Sequence, residues 1–150
     1  MPFFERGHDV ERYELPRDIT KETFEPGQFD FIWASPPCTE YSKLFKPFAS
    51  LGPYREVDLG LWEHCLRLIA EAKPRYYIIE NVQGALRIWG QPKVRCGSFY
   101  LWGDMPAWPV GVFRKNTQSW PKASRARERG RIPRPLAEQV CDIIEDAFGY

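Results

Sequence analysis

The chain has 150 residues and a net charge of +1, so it is long enough for one domain with a sizeable core, and its overall charge does not favour a polyanionic partner. Its four cysteines are widely spaced without a Cys-x-x-Cys pair, and this spacing predicts neither a metal site nor a disulfide framework. The sequence shows no signal peptide and no long apolar run, so we expect one cytoplasmic domain over residues 1–150 that does not enter a membrane.

The first residues predict short elements. Residues 1–7 read as the last turn of a helix that ends at Gly7. Residues 10–14 predict a short strand with Glu14 at its carboxyl end, and residues 18–20 predict a minimal second strand end that carries Asp18. An acid at such a position can accept the ribose hydroxyls of a nucleoside cofactor, although an exposed loop acid is the commoner interpretation for either residue alone.

A strand that ends in two prolines organises the chain. Apart from Asp30, residues 29–33 are apolar and aromatic without a helical stripe, which favours a short buried strand of a parallel sheet. Pro36 and Pro37 fix their own φ angles and lack backbone donors, so Cys38 follows on a stiff loop at the carboxyl end of the strand. A thiol held rigidly at that edge suits a nucleophile, and a buried structural cysteine is the alternative.

A helix and a second strand follow. The predicted helix spans residues 57–73, and its inward stripe is Leu59, Trp62, Leu66, Ile69 and Lys73. Residues 76–79 predict a buried strand, and a strand-helix-strand unit makes the two strands parallel neighbours. Glu80 is therefore expected at the same sheet edge as Cys38, where burial would raise its pKa and let it hold a proton near neutral pH.

The last third of the chain is first basic and then helical. Residues 114–134 contain eight lysines or arginines against the single acid Glu128, and such a segment can meet phosphates or form a solvated loop. Residues 98–102 are typical of a strand. Residues 135–148 predict an amphipathic helix whose inward side chains are Leu136, Val140, Ile143, Ile144 and Phe148.

Four motifs, in this order, resemble those of the DNA (cytosine-5)-methyltransferases. Pro36-Pro37-Cys38 and Glu80-Asn81-Val82, each after a strand, are similar to the two catalytic motifs of the family. Residues 91–95, Gln-Pro-Lys-Val-Arg, resemble the family's Gln-x-Arg-x-Arg motif with a lysine in the middle. Residues 132–137, Ile-Pro-Arg-Pro-Leu-Ala, resemble the start of its last helix. Each motif alone is weak, but the ordered set is specific.

The resemblance implies an α/β, Rossmann-like methyltransferase fold with a mostly parallel sheet. It further implies transfer of a methyl group from S-adenosylmethionine to carbon 5 of cytosine in DNA. In that chemistry Cys38 would add as a thiolate to carbon 6 of a flipped base, Glu80 would bond N3 and the amino group, and Arg95 would hold the base oxygen.

The resemblance also assigns binding residues. Glu14 and Asp18 match the acids that hold the ribose and adenine of the cofactor, and Pro36 matches a loop position that faces both cofactor and base. Ser42 matches a position near the substrate backbone, and Lys93 lies in the third motif. Together with Arg125 and Arg127 of the basic segment, these residues are expected to contact DNA.

The chain departs from the family pattern in two ways. The family's Phe-x-Gly-x-Gly loop, which cradles the cofactor, has no counterpart in this sequence, so we expect an N-terminally truncated fold whose open sheet edge a homodimer or a partner chain covers. Between residues 95 and 132 the sequence has no large insertion to read a DNA sequence. A non-catalytic nucleic-acid-binding or assembly module is one alternative, and an amino-group methyltransferase, which Cys38 and Glu80 disfavour, is another.

Overall fold

A computed structural model describes residues 2–14, 17–43, 58–108 and 132–150, without the side chains of residues 42 and 43. These residues form two compact units, of which one comprises Met1–Tyr13 with Met105–Tyr150 and the other Glu14–Asp104. Residues 44–57 and 109–131 lie outside the described residues, and the second of these ranges contains most of the basic segment, including Arg125 and Arg127.

The unit Glu14–Asp104 contains a four-stranded sheet. Its strands are β1 (Phe31–Ala34), β2 (Tyr76–Asn81), β3 (Val94–Cys96) and β4 (Phe99–Trp102), in the order β1-β2-β4-β3. The parallel pairing of β1 with β2 confirms the predicted crossover. β4, however, runs antiparallel to both β2 and β3, so the prediction of a mostly parallel sheet is wrong. The physical reason is a tight β3-β4 hairpin, in which Gly97 takes a φ of 61°.

The helices of this unit are short except for one. They are α2 (Thr39–Lys43), α3 (Gly60–Ala72) and α4 (Leu86–Trp89). α3 confirms the predicted helix, and it ends at Lys73, which adopts a φ of 47° before Pro74 prevents continuation. The predicted inward stripe is partly wrong, since Leu66 is 40% exposed. The side chains that α3 buries are Cys65, Leu68, Ile69 and Ala72.

Neither strand predicted before residue 29 is present. Residues 10–14 have no regular secondary structure, and Ile19–Lys21 form a 3-10 turn instead of a strand end. Asp18 caps this turn, because its Oδ1 accepts a hydrogen bond from the Thr20 backbone N at 3.1 Å. A capping aspartate satisfies the first donors of a helical turn, so the local sequence favours a turn over an extended chain.

The other unit contains the two terminal helices. α1 (Pro2–Glu5) ends in a turn at Gly7, which has a φ of 90°, as the sequence predicts. The last helix, α5 (Arg134–Phe148), begins after the N-cap Pro133 and ends at Gly149. Four of its five predicted inward residues are buried together with Cys141, and Phe148 is half-buried. Within the described ranges, every helix is too short or too polar to cross a membrane.

Candidate active site

Two sequence motifs meet at one edge of the sheet. β1 ends at Ala34 and continues into Ser35-Pro36-Pro37-Cys38, while the neighbouring strand β2 runs on through Glu80 and Asn81. The register pairs Ala34 with Ile79. Because β1 and β2 are parallel neighbours, their carboxyl ends lie at the same edge, where ligands bind in open α/β sheets.

A buried asparagine joins the two motifs. Asn81 is 1% exposed, and its Nδ2 donates a hydrogen bond of 3.0 Å to the carbonyl of Pro36. Its Oδ1 accepts one of 2.9 Å from the backbone N of Val82. The Asn81 amide thus pairs with both the Val82 N–H and the Pro36 carbonyl. It thereby holds the loop that precedes Cys38 against the end of β2. Sequence reasoning assigned no separate role to Asn81, although its position beside Glu80 on a buried strand could have indicated one.

Glu80 is a carboxyl group in a largely dry setting. It is 8% exposed, and burial raises its pKa to about 7, although the Ser35 hydroxyl donates a hydrogen bond to the carboxylate and opposes the shift. The indole Nε1 of Trp33 donates to Ser35 Oγ at 3.1 Å, which leaves the serine proton for Glu80. Glu80 can therefore both hold and release a proton near neutral pH, and Ser35 and Trp33 are supporting residues that sequence reasoning missed.

Among the four cysteines, Cys38 is the most accessible. It is a half-buried free thiol, whereas Cys65, Cys96 and Cys141 are buried. Burial raises the pKa of Cys65 to about 11 and that of Cys96 to about 12, so both remain thiols at neutral pH. Accessibility therefore favours Cys38 as the nucleophile.

The helix that follows Cys38 is anchored by an aromatic cluster. Tyr41 of α2 is 2% exposed and packs with Ala85, Tyr100 and Trp102. Its ring also lies edge-on to that of Trp89, with 4.7 Å between the ring centroids. Burial raises the pKa of Tyr41 to about 12, so the cluster contains a neutral phenol. This packing fixes the chain on the C-terminal side of Cys38, as Asn81 fixes it on the other side.

Arg95 lies in the same sheet on a different face from Glu80. The register places Arg95 opposite Tyr100 and Tyr100 opposite Asn81, whereas Glu80 is opposite Leu101. Successive residues of a strand point to opposite faces, so the row of Arg95, Tyr100 and Asn81 faces away from Glu80. The Arg95 guanidinium lies 5.2 Å from the centroid of the Tyr100 ring, and its Nε donates to the Gly97 carbonyl at 3.3 Å.

The remaining predicted DNA contacts are only partly described. Lys93 lies just before β3, and its Nζ is 3.7 Å from Oδ1 of Asp104. Ser42 lies in α2, but its side chain is outside the described part of the structure, as are Arg125 and Arg127.

The residues predicted to hold a nucleoside cofactor fit that role poorly. Asp18 Oδ1 accepts hydrogen bonds from the backbone N and Oγ1 of Thr20, and Oδ2 lies 3.4 Å from Lys21 Nζ. The Asp18 carboxylate is thus already used within its own turn, and Glu14 is exposed on an irregular segment. Of the three predicted cofactor residues, only Pro36 lies in one of the two joined motifs.

Comparison with known proteins places the chain in a family. Residues 6–88, more than half of the chain, match the family model of the C-5 cytosine-specific DNA methylase. A probable DNA (cytosine-5)-methyltransferase of Frog virus 3 (isolate Goorha) is 27% identical over 146 residues, an alignment that covers 87% of this chain and 61% of the viral protein. The chain therefore spans about three-fifths of that relative's length. No solved structure was found to match. On the match over residues 6–88, the chain belongs to the C-5 cytosine-specific DNA methylase family.

Proposed function

We propose that this chain methylates carbon 5 of cytosine in DNA, with Cys38 as the nucleophile and Glu80 as the proton-holding group. The observation that carries the proposal is the joining of the two motifs, in which Asn81 binds the Pro36 carbonyl and Ser35 binds Glu80. Family membership supports the substrate class and the reaction.

The proposed first step is addition of the Cys38 thiolate to carbon 6 of the base. The new carbon–sulfur bond forms as the electrons of the C5–C6 double bond move to carbon 5 and into the ring. Glu80, whose pKa burial raises to about 7, holds a proton against N3 and stabilises the charge that develops in the ring. Bound S-adenosylmethionine would supply the methyl group that carbon 5 takes. The carbon 5 proton is then lost to water, the electrons of its C–H bond re-form the C5–C6 double bond, and the thiolate leaves carbon 6, which restores the aromatic base and the free thiolate.

The target carbon is inaccessible in a stacked duplex, so the base must leave the helix to reach Cys38. We propose Arg95 for the base oxygen on the motif of residues 91–95. Because Arg95 and Glu80 lie on different faces of the sheet, the exposed guanidinium must leave Tyr100 to reach the base. Ser42, Lys93, Arg125 and Arg127 are proposed to contact the DNA around the flipped base, and these contacts are expected to weaken with salt.

Methyl transfer from labelled S-adenosylmethionine to a cytosine-containing duplex tests the proposal. We expect incorporation by the wild type, none by Cys38→Ser, and a strongly lowered rate for Glu80→Gln with the circular dichroism unchanged. Gln83→Ala, an exposed change next to the same turn, is the matched control and should retain the wild-type rate. Full activity of the folded Glu80→Gln protein would remove Glu80 from the mechanism.

Cofactor binding needs its own test, because the Asp18 carboxylate is engaged within its turn. We propose that the chain binds S-adenosylmethionine, and isothermal titration with S-adenosylhomocysteine, with and without the duplex, measures it. Micromolar binding is expected, and no heat under either condition contradicts the proposal. Asp18→Asn keeps a capping side chain but removes the charge, so an unchanged affinity in this variant excludes Asp18 as a cofactor ligand.

A homodimer that covers the sheet edge is the proposed assembly. β1 is an edge strand among the described residues, and all four of its residues are only half-buried. A strand at the edge of a sheet can extend the sheet by pairing with a strand of another chain. Light scattering should show a dimer, and a monomer at high concentration contradicts it.

A further inference from the structure

Three metal-binding side chains converge in the unit that contains the terminal helices. His8 follows α1, and Cys141 and Glu145 lie four residues apart on α5, so the two α5 residues share one face of the helix. One ligand atom from each of the three residues lies within 4.8 Å of the others.

His8 and Cys141 both contact the same oxygen of Glu145. His8 Nε2 lies 2.7 Å from Glu145 Oε1, and Cys141 Sγ lies 3.6 Å from the same Oε1. The other oxygen, Oε2, is bound at 2.6 Å by the guanidinium of Arg6, which also binds Asp142. Glu145 thus keeps one oxygen for the imidazole and the thiol, while Arg6 fixes the orientation of the carboxylate.

Two of the three distances between ligand atoms are close to those of a tetrahedral zinc site, and the third, from His8 to Cys141, is within 4.8 Å. Sulfur, nitrogen and oxygen ligands at usual zinc distances of about 2.0–2.3 Å are separated from one another by about 3.4–3.6 Å. The Cys141 to Glu145 distance of 3.6 Å already meets this value. The His8 to Glu145 distance of 2.7 Å must lengthen by less than an ångström, which a change in the His8 side-chain torsions can supply.

The surroundings hold the ligands in place. Rings of Phe3 and Tyr150 lie edge-on to the His8 imidazole, with centroids at 5.6 and 5.8 Å. Cys141 is fully buried, whereas His8 and Glu145 retain side-chain exposures of 28% and 21%, so an ion has a path from solvent. Supporting contacts that fix ring and carboxylate orientation are what a metal site needs around its ligands.

We propose that His8, Cys141 and Glu145 bind a zinc ion through Nε2, Sγ and Oε1, with water as the fourth ligand. Binding moves the imidazole proton to Nδ1 and releases the thiol proton to solvent, so the thiolate and the carboxylate together neutralise the ion. The site would join the N-terminal segment to the last helix, and it is independent of the proposed methyl transfer.

Cobalt(II), which replaces zinc and absorbs light, is the probe. The full chain is freed of metal with a chelator and titrated with cobalt(II), and we expect one equivalent to produce a thiolate-to-cobalt charge-transfer band together with the intense visible bands of a four-coordinate ion. Zinc should abolish these bands and raise the thermal midpoint of the wild type. His8→Gln and Cys141→Ser should each lose the charge-transfer band and the zinc-dependent rise in midpoint.

Two changes elsewhere in the chain are the matched controls. His64 is the other histidine of the sequence and Cys38 the most accessible thiol, so His64→Gln and Cys38→Ser should keep the cobalt spectrum unchanged. His8→Gln retains an amide that can donate to Glu145, which keeps the test valid if Cys141→Ser fails to fold. The proposal is overturned if the wild type gives no charge-transfer band, if folded His8→Gln keeps it, or if either control removes it.

Discussion

Glu80 shows how one residue links burial to chemistry. Its carboxyl group has a pKa near 7 because burial penalises the charged form more than the Ser35 hydrogen bond favours it. In the unfolded chain the group returns to an ordinary pKa near 4.5. Between these two values the folded protein binds more protons than the unfolded one, so Glu80 lowers the free energy of unfolding as pH rises through this window.

Replacing Glu80 by glutamine removes this ionisation. We compare the free energy of unfolding of Glu80→Gln with that of the wild type at two pH values. We predict that this difference shifts in favour of the variant by about 2 kcal/mol between pH 5 and pH 8. Urea unfolding at both pH values measures the difference. Gln83→Ala, an exposed change without a titratable group, should show no such pH dependence. An equal effect of Glu80→Gln at both pH values would mean that Glu80 is not perturbed by burial.

Asn81 is predicted to matter for stability as well as for the site. Asn81→Ala leaves the Pro36 carbonyl and the Val82 N–H without the hydrogen bonds that Asn81 makes with them, and we expect a loss of about 3 kcal/mol in the free energy of unfolding. Urea unfolding measures the loss, with exposed Gln83→Ala as control. A loss as small as that of the control would show that the two loops do not depend on this amide.

At the scale of elements, sequence patterns predicted whether a segment is a helix or a strand better than they predicted the direction of a strand in the sheet. The apolar run before Pro36-Pro37 and the helix closed by Pro74 were predictable, because local sterics and periodicity decide them. The direction of β4 depends on the two-residue turn at Gly97-Ser98, which is typical of a hairpin. The prediction followed the resemblance to a parallel fold instead of this turn. The strand end predicted at residues 18–20 was wrong for a similar reason, because the prediction did not consider that Asp18 can cap a turn through the Thr20 backbone N.

The end of β4 depends on a glycine that approaches β2 closely. Gly103 has a φ of 129°, and a Cβ there would lie 2.3 Å from the Tyr77 carbonyl oxygen. We predict that Gly103→Ala lowers the free energy of unfolding by about 3 kcal/mol or more. Gly27→Ala, where φ is 80° and a Cβ meets nothing within 4 Å, should cost only about 1 kcal/mol. Thermal unfolding of the two variants separates the two effects, because Gly103→Ala adds a steric clash to the backbone strain that both variants share. Equal losses of stability in the two variants would contradict the close approach of Gly103 to Tyr77.

For the whole molecule, the four ordered motifs predicted the family to which the chain belongs, and the match over residues 6–88 confirms this prediction. The meeting of Pro36-Pro37-Cys38 with Glu80-Asn81-Val82 was predictable because a parallel crossover brings both strand ends to one edge. The supporting contacts of Trp33, Ser35 and Asn81 were not predictable, since they depend on side-chain positions set by tertiary packing. The same limit applies to Arg95, whose face of the sheet follows from the β3-β4 register.

The central claim is that Cys38 forms a covalent bond to cytosine, and intact-mass analysis after incubation with S-adenosylmethionine and a duplex carrying 5-fluorocytosine tests it most directly. Fluorine at carbon 5 cannot leave as the proton does, so the adduct persists once methyl transfer has occurred. We predict a protein–DNA adduct that maps to the peptide containing Cys38, is absent from folded Cys38→Ser, and is retained in Cys96→Ser if that variant folds. An adduct that survives Cys38→Ser, or its absence from the folded wild type, would contradict the account.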